Sequence, residues 1–128
     1  MKIRFIVTGK PIGKQRPRFT KAGRCYTPNE TKDYENRIRQ AYITASNNFK
    51  FENGVQIVVR AYYRKAKSNK SDFVNIKPDI DNVIKSVLDA LNGIAYDDDK
   101  QICSVIGHKA WAKSEPFIEV EIYESVWI

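Results

Sequence analysis

The chain has 128 residues, 42% of them hydrophobic, and its 22 Lys/Arg against 15 Asp/Glu leave a formal charge of +7. That length amounts to one domain, residues 1–128, with enough apolar content for a real core. No apolar run approaches the roughly 20 residues that cross a bilayer, and no basic amphipathic helix stands out, so a membrane partner is set aside and a polyanion favoured.

The start, Met1-Lys2-Ile3-Arg4-Phe5-Ile6-Val7-Thr8, is charged and alternating, which excludes a secretory signal and predicts a strand burying Ile3, Phe5 and Val7. Residues 10–26 read as an extended basic segment with a turn at Lys21-Ala22-Gly23-Arg24. Thr27-Pro28-Asn29-Glu30 predicts a helix start, with Thr27 as cap and Pro28 as the first helical residue. Tyr34, Ile38, Ala41, Tyr42 and Ala45 then form its apolar stripe. After Asn53-Gly54, the alternation of Val55, Ile57, Val59, Ala61 and Tyr63 predicts a long strand.

Residues 65–77 are polar and basic and read as an exposed, mobile loop. A second helix is predicted from about Asp81 to Asn92, ended by Gly93, followed by strands near 102–112 and 117–124. This order implies an α/β (α+β) fold: one compact mixed sheet packed with two main helices on one face. Cys25 and Cys103 lack metal spacing and read as reduced, buried or half-buried thiols of a cytoplasmic protein.

Charge is unevenly distributed. Residues 1–39 carry eleven Lys/Arg against three Asp/Glu, and residues 60–77 carry six against one. Residues 79–99 reverse this, with six Asp against Lys85 alone. On the second helix Val83, Ile84, Val87, Leu88 and Leu91 share an apolar arc, and Asp81, Lys85, Asp89 and Asn92 share a polar stripe. Asp79 and Asp81, two apart at the helix start, can turn their carboxylates to a common point, and the loop Asp97-Asp98-Asp99 can bring a third over it.

Taken singly, an Asp at a helix start is an ordinary cap, and Asp81 with Lys85 an ordinary i,i+4 pair. Neither explains why acid is gathered within a basic chain. Hard cations such as Mg²⁺ take oxygen ligands, commonly one or two carboxylates plus a substrate phosphate. An EF-hand is excluded, because its Gly and Glu positions counted from Asp79 hold Ile84 and Ala90. His108 reads as structural.

In the basic segment, Lys10, Lys14, Arg16 and Arg18 are candidate phosphate contacts, as is Lys77 beside the acidic run. Phe19 and Tyr26 could stack on unpaired bases, but packing is the favoured reading for both. Acid cluster and basic surface together suggest an enzyme that works on nucleic acid with metal.

These motifs resemble the RusA family of Holliday-junction resolvases over nearly the whole chain. The resemblance rests on Gly9-Lys10-Pro11 with Lys14-Gln15-Arg16-Pro17-Arg18, then Lys77-Pro78-Asp79-Ile80-Asp81-Asn82 with Lys85. It continues through Asp89-Ala90-Leu91-Asn92-Gly93 and Asp98-Asp99-Lys100-Gln101-Ile102. The resemblance implies a homodimeric, Mg²⁺-dependent endodeoxyribonuclease, with Mn²⁺ as a substitute, that cuts symmetrically across four-way branched DNA. It implies metal ligands Asp79, Asp81 and Asp99, with Asp98 as a supporting or alternative ligand, and Lys85 as catalytic lysine. Asp99 is aligned because it stands two residues before Gln101. The aromatic residues that some members carry just ahead of the first Asp are replaced here by Lys77-Pro78. Rival readings are a metal nuclease for flaps or forks, and a non-catalytic module that holds branched DNA.

Overall fold

The computed structural model describes residues 1–26 and 28–125. Four strands form the main sheet: β1 (Lys2–Thr8), β4 (Val55–Tyr63), β5 (Ile102–Trp111) and β6 (Phe117–Glu124), in the order β1-β6-β4-β5. β6 runs antiparallel to both β1 and β4, whereas β4 and β5 are parallel. Two short strands, β2 (Arg18–Phe19) and β3 (Cys25–Tyr26), pair as a separate ribbon. The helices are α1 (Asn29–Ser46) and α2 (Ile80–Leu91), the latter lying in the connection between the parallel strands β4 and β5. Parallel neighbours need such a crossover, and here it carries the acidic run.

Strand alternation gives the sheet one continuous apolar face. Register aligns Ile3, Ile122 and Ile57 in one row, Phe5, Val120 and Val59 in the next, and Val7, Ile118 and Ala61 in a third. All nine are buried, together with Tyr34, Ile38 and Tyr42 of α1 and Val83, Val87 and Leu91 of α2. α2 comes close to β5 because Gly107 has no side chain: a Cβ there would meet Ile84 Cδ1 at 2.6 Å and Ile80 Cγ1 at 2.9 Å. The opposite face of the sheet is mixed, with Ile6, Val58, Ile106 and the stacked Tyr62–Phe117 pair among its charged residues. Arg4, Arg60, Lys2, Glu119 and Glu121 form a lattice of ion pairs across β1, β6 and β4, and His108 lies on that face opposite Arg60.

The structure corrects several expectations. α1 starts at Asn29 with Pro28 at the cap position, and Thr27 lies outside the described residues. Glu30 bonds across to the Gln15 side chain at 3.2 Å. Ala45 is exposed, since the helix passes the sheet's end beyond Tyr42. Both cysteines are exposed free thiols.

The segment 65–77 is mostly exposed, as its composition suggests, but it is anchored over residues 71–76. Val74 is buried, the Trp111 indole N–H donates to the Ser71 carbonyl at 3.0 Å, and Lys109 Nζ donates to the Ile76 carbonyl at 2.8 Å. Among the described residues, no helix is long and apolar enough to cross a membrane.

Ile57 sits on the inner strand β4, in the row with Ile3 and Ile122, and is fully buried. Ile57→Ala is expected to cost about 2–5 kcal/mol, seen as a lower urea midpoint with an unchanged slope.

Candidate active site

α2 divides its residues as the helical period demands. Val83, Val87, Ala90 and Leu91 are buried, while Asp81, Lys85, Asp89 and Asn92 lie exposed along the opposite stripe. Asp79 occupies the N-cap with extended backbone, yet its side chain makes no cap hydrogen bond. Its carboxylate is therefore free for another partner, as is that of exposed Asp81 in the first turn. The peptide bond before Pro78 is cis, and the Pro78 carbonyl accepts a 2.6 Å hydrogen bond from the Tyr63 hydroxyl. Burial, and then the Asp79 carboxylate, push the Tyr63 phenol up to about 12, so it stays a neutral donor at physiological pH.

The second acidic group returns on a loop that is tightly tied. Buried Tyr96 donates to the Leu88 carbonyl at 2.9 Å, and the Gly93 N–H donates to the Tyr96 carbonyl at 2.9 Å. A single 3₁₀ turn follows at Asp99–Gln101, with Asp98 and Gln101 in a reciprocal capping box. The Gln101 amide oxygen accepts from the Asp97 N–H at 2.8 Å, and its NH₂ donates to the Phe51 and Asn53 carbonyls. This arrangement separates the three consecutive acids. Asp97 pairs with Lys50 at 2.6 Å, Asp98 caps the turn, and Asp99 is the exposed first residue of the turn. Its carboxyl is held above the usual range by burial, then by the negative charges of Asp89 and Asp98.

The basic segment docks on the N-terminal half of α2, near Asp79 and Asp81. The Lys14 N–H donates to the Asn82 carbonyl at 2.9 Å, and Ser86 Oγ donates to the Ile12 carbonyl at 3.0 Å. Gly13 lies between them, where a Cβ would stand 2.8 Å from Pro78 Cβ and 3.0 Å from Asn82 Cβ. The result is a cleft of about 710 Å³ whose lining includes Lys10, Lys14, Tyr63, Lys77, Asp79 and Asn82. Cations and the first acidic residue thus share one cavity wall.

The candidate residues separate by role. Lys10, Arg16, Arg18 and Lys77 are exposed, and Arg18 lies on the β2–β3 ribbon. Phe19 and Tyr26 are exposed on that ribbon too, Phe19 at 71%, so neither packs as the sequence suggested. Lys14 is instead engaged by two carboxylates, Glu35 at 3.1 Å and Asp89 at 3.2 Å. Glu35 escaped the sequence reading. Its signal was an acid flanked by Tyr34 and Ile38 on an apolar stripe, a position that requires a cationic partner. The bracing roles of Gln101 and Tyr96 escaped it as well, because hydrogen bonds to distant carbonyls leave no local pattern.

Oxygen donors free of capping bonds, and acids that repel one another, are the chemistry a hard divalent cation suits. Among the described residues, no three His, Cys, Asp or Glu side chains stand close enough to form a complete cage. Mg²⁺ does not require one, since it retains waters and shares its shell with substrate phosphate. The donor set fits.

Two outcomes follow from this geometry. Gly13→Ala is expected to cost about 1–3 kcal/mol in thermal denaturation, because the rigid Pro78 ring and the Asn82 Cβ cannot yield like a flexible chain end. Asp99→Asn is expected to raise the metal-free Tm at neutral pH. A raised carboxyl contributes its full stability below the unfolded pKa and loses it as pH rises through the folded value. The asparagine escapes that loss, so its advantage should vanish in acid and shrink with salt.

Comparison with known proteins identifies the family. The uncharacterized protein YqaN of Bacillus subtilis (strain 168) is 28% identical over 137 aligned positions, covering 95% of this chain and 96% of the relative. The family profile described as Endodeoxyribonuclease RusA matches residues 8–123, from the last residue of β1 into β6 and across both sides of the cleft. The chain belongs to the RusA endodeoxyribonuclease family.

Proposed function

We propose that this protein is a divalent-metal-dependent endonuclease that resolves four-way DNA junctions by paired, symmetric phosphodiester cleavage, acting as a homodimer with Mg²⁺, or Mn²⁺ in its place. The observation that carries the reading is the shared cleft, in which the basic segment at Lys10–Gln15 faces Lys77, Pro78 and Asp79. A purely binding surface has no use for free carboxylates beside the phosphates it attracts. Membership of the RusA family supports the same reaction class.

In this mechanism Lys10 and Lys77 hold the DNA backbone along the cleft, with Arg16 and Arg18 extending the track onto the ribbon. Such contacts position DNA without reading its sequence. Asp79, Asp81 and Asp99 would hold the cation. Asp98 remains with the backbone of the turn and supports Asp99 by fixing the loop. A bound cation would supply the charge that polarises the scissile phosphate and lowers the pKa of a water beside it. Lys85, one turn along from Asp81, donates to a phosphate oxygen as negative charge builds there. The P–O bond to the leaving oxygen breaks as the new P–O bond forms. In a C2 dimer, two such sites would match a junction of approximate two-fold symmetry.

Phe19 and Tyr26 add a second DNA contact in this reading. Both are exposed beside Arg18 and Arg24, a combination suited to stacking on unpaired bases at a branch.

The test is cleavage of a labelled four-way junction, with flap, fork and linear duplex as competitors. Wild type is expected to give paired nicks in the junction only when Mg²⁺ is present. Asp79→Asn should bind the junction but cut at least about 100-fold more slowly in single turnover. Preferential cutting of flaps or forks would assign a different nuclease. Binding without cutting under any divalent metal would leave a junction-binding module.

A further inference from the structure

Lys14 belongs to the basic segment by sequence and to the protein interior by contact. Its ammonium lies 3.1 and 3.3 Å from the two Glu35 oxygens on α1 and 3.2 Å from Asp89 Oδ2 on α2. Glu35 is only 7% exposed, and Lys14's own side chain is 23% exposed. Burial works against the ammonium, but hydrogen bonds and charge attraction from Glu35 and Asp89 outweigh it and raise its pKa. The Lys14 backbone is itself bonded to Asn82, and Gly13 beside it is packed on Pro78 and Asn82. Turning Lys14 toward a phosphate would strand Glu35 as a buried, unpaired charge, which is strongly unfavourable.

Asp89 is the link to the chemistry. It lies on the exposed stripe of α2 with Asp81 and Lys85, and its charge acts on Asp99. We propose that Lys14 is a positioning residue: it holds the Asp89 carboxylate against the basic segment by direct contact, so that the cation is drawn to Asp99, Asp79 and Asp81 rather than to Asp89. The inference rests on reading those three aspartates as the cation site. Glu35 is the buried anchor that keeps Lys14 in place, and Asp89 is the carboxylate that Lys14 withholds from the metal. The basic segment then has two functions, with Lys10, Arg16 and Arg18 facing DNA and Lys14 facing inward.

The variant that isolates this role is Lys14→Met with Glu35→Gln, because removing Lys14 alone orphans Glu35 and should lower Tm by about 5–10 °C. The double variant leaves no buried unpaired charge and frees only Asp89. It is expected to recover Tm to near wild type. Its Mg²⁺-induced rise in Tm should saturate at a several-fold lower concentration, since the Asp89 carboxylate is no longer held by an ammonium and is open to the cation. Single-turnover junction cleavage should nonetheless be at least about 10-fold slower, the cation being displaced toward Asp89. Adding Asp89→Asn should return the Mg²⁺ response to that of wild type.

Salt dependence separates the inward role from a phosphate contact. The slope of log binding constant against log salt should be unchanged in the double variant, while Lys10→Met should reduce it by about one. A reduced slope in the double variant would assign Lys14 to DNA and overturn the proposal. So would full recovery of cleavage along with Tm, or an unaltered Mg²⁺ response. A wild type with no Mg²⁺-induced shift would overturn it together with the cation site. A wild type that takes up Mg²⁺ but cuts no junction would reject the nuclease reading and leave the metal response to decide Lys14.

Discussion

The close seating of residues 12–14 on the N-terminal half of α2 is the constraint on which the site depends. Gly13 permits it, because any side chain there would collide with Pro78 and Asn82. Two hydrogen bonds, from Lys14 to Asn82 and from Ser86 to Ile12, set its register. The Lys14 ammonium between Glu35 and Asp89 then ties the segment to both helices at once. Without this contact the chain would still have a basic stretch and an acidic helix, but no cleft that places one against the other.

The sheet supplies the rigidity behind that contact. Three rows of aliphatic and aromatic residues run across β1, β6 and β4, and α2 settles onto the sheet over Gly107 at its β5 edge. Polar segments borrow this rigidity through single side chains. Tyr63 reaches from β4 to hold Pro78, Lys109 and Trp111 reach from β5 to hold the loop before it, and Tyr96 holds the loop that carries Asp99. Each delivers a hydrogen bond from a strand or a buried ring to a backbone carbonyl near the site. A site on loops thereby gains the fixed geometry of the elements beneath it.

Electrostatic tension is built into the same region. Asp99 faces two like charges and carries a raised pKa, which costs stability in the absence of a cation. Such tension is commonly found at functional sites, where charge is arranged for a ligand rather than for the resting fold. Two of the neighbouring acids have a cation in contact: Asp97 pairs with Lys50, and Asp89 shares Lys14 with Glu35. Asp79 and Asp81 are left unpartnered at the helix start, with Lys85 one turn further on.

Much of this was legible in the sequence because it depends on period and local chemistry. Alternation marked β1 and β4 to within a residue, the apolar arc of α2 emerged from its 3.6-residue repeat, and the reversal of charge at residues 79–99 pointed to the site. The family motifs lie on those same elements. What the sequence could not decide was which charges face each other across elements. Lys14 and Arg18 look alike in a basic run, and only folding turns one inward to a buried Glu35 and leaves the other on an exposed ribbon. Asp97, Asp98 and Asp99 are equally acidic in the chain, and only tertiary partners distinguish them. Periodicity along a chain is a local property, whereas the partner of a charge depends on packing between distant segments.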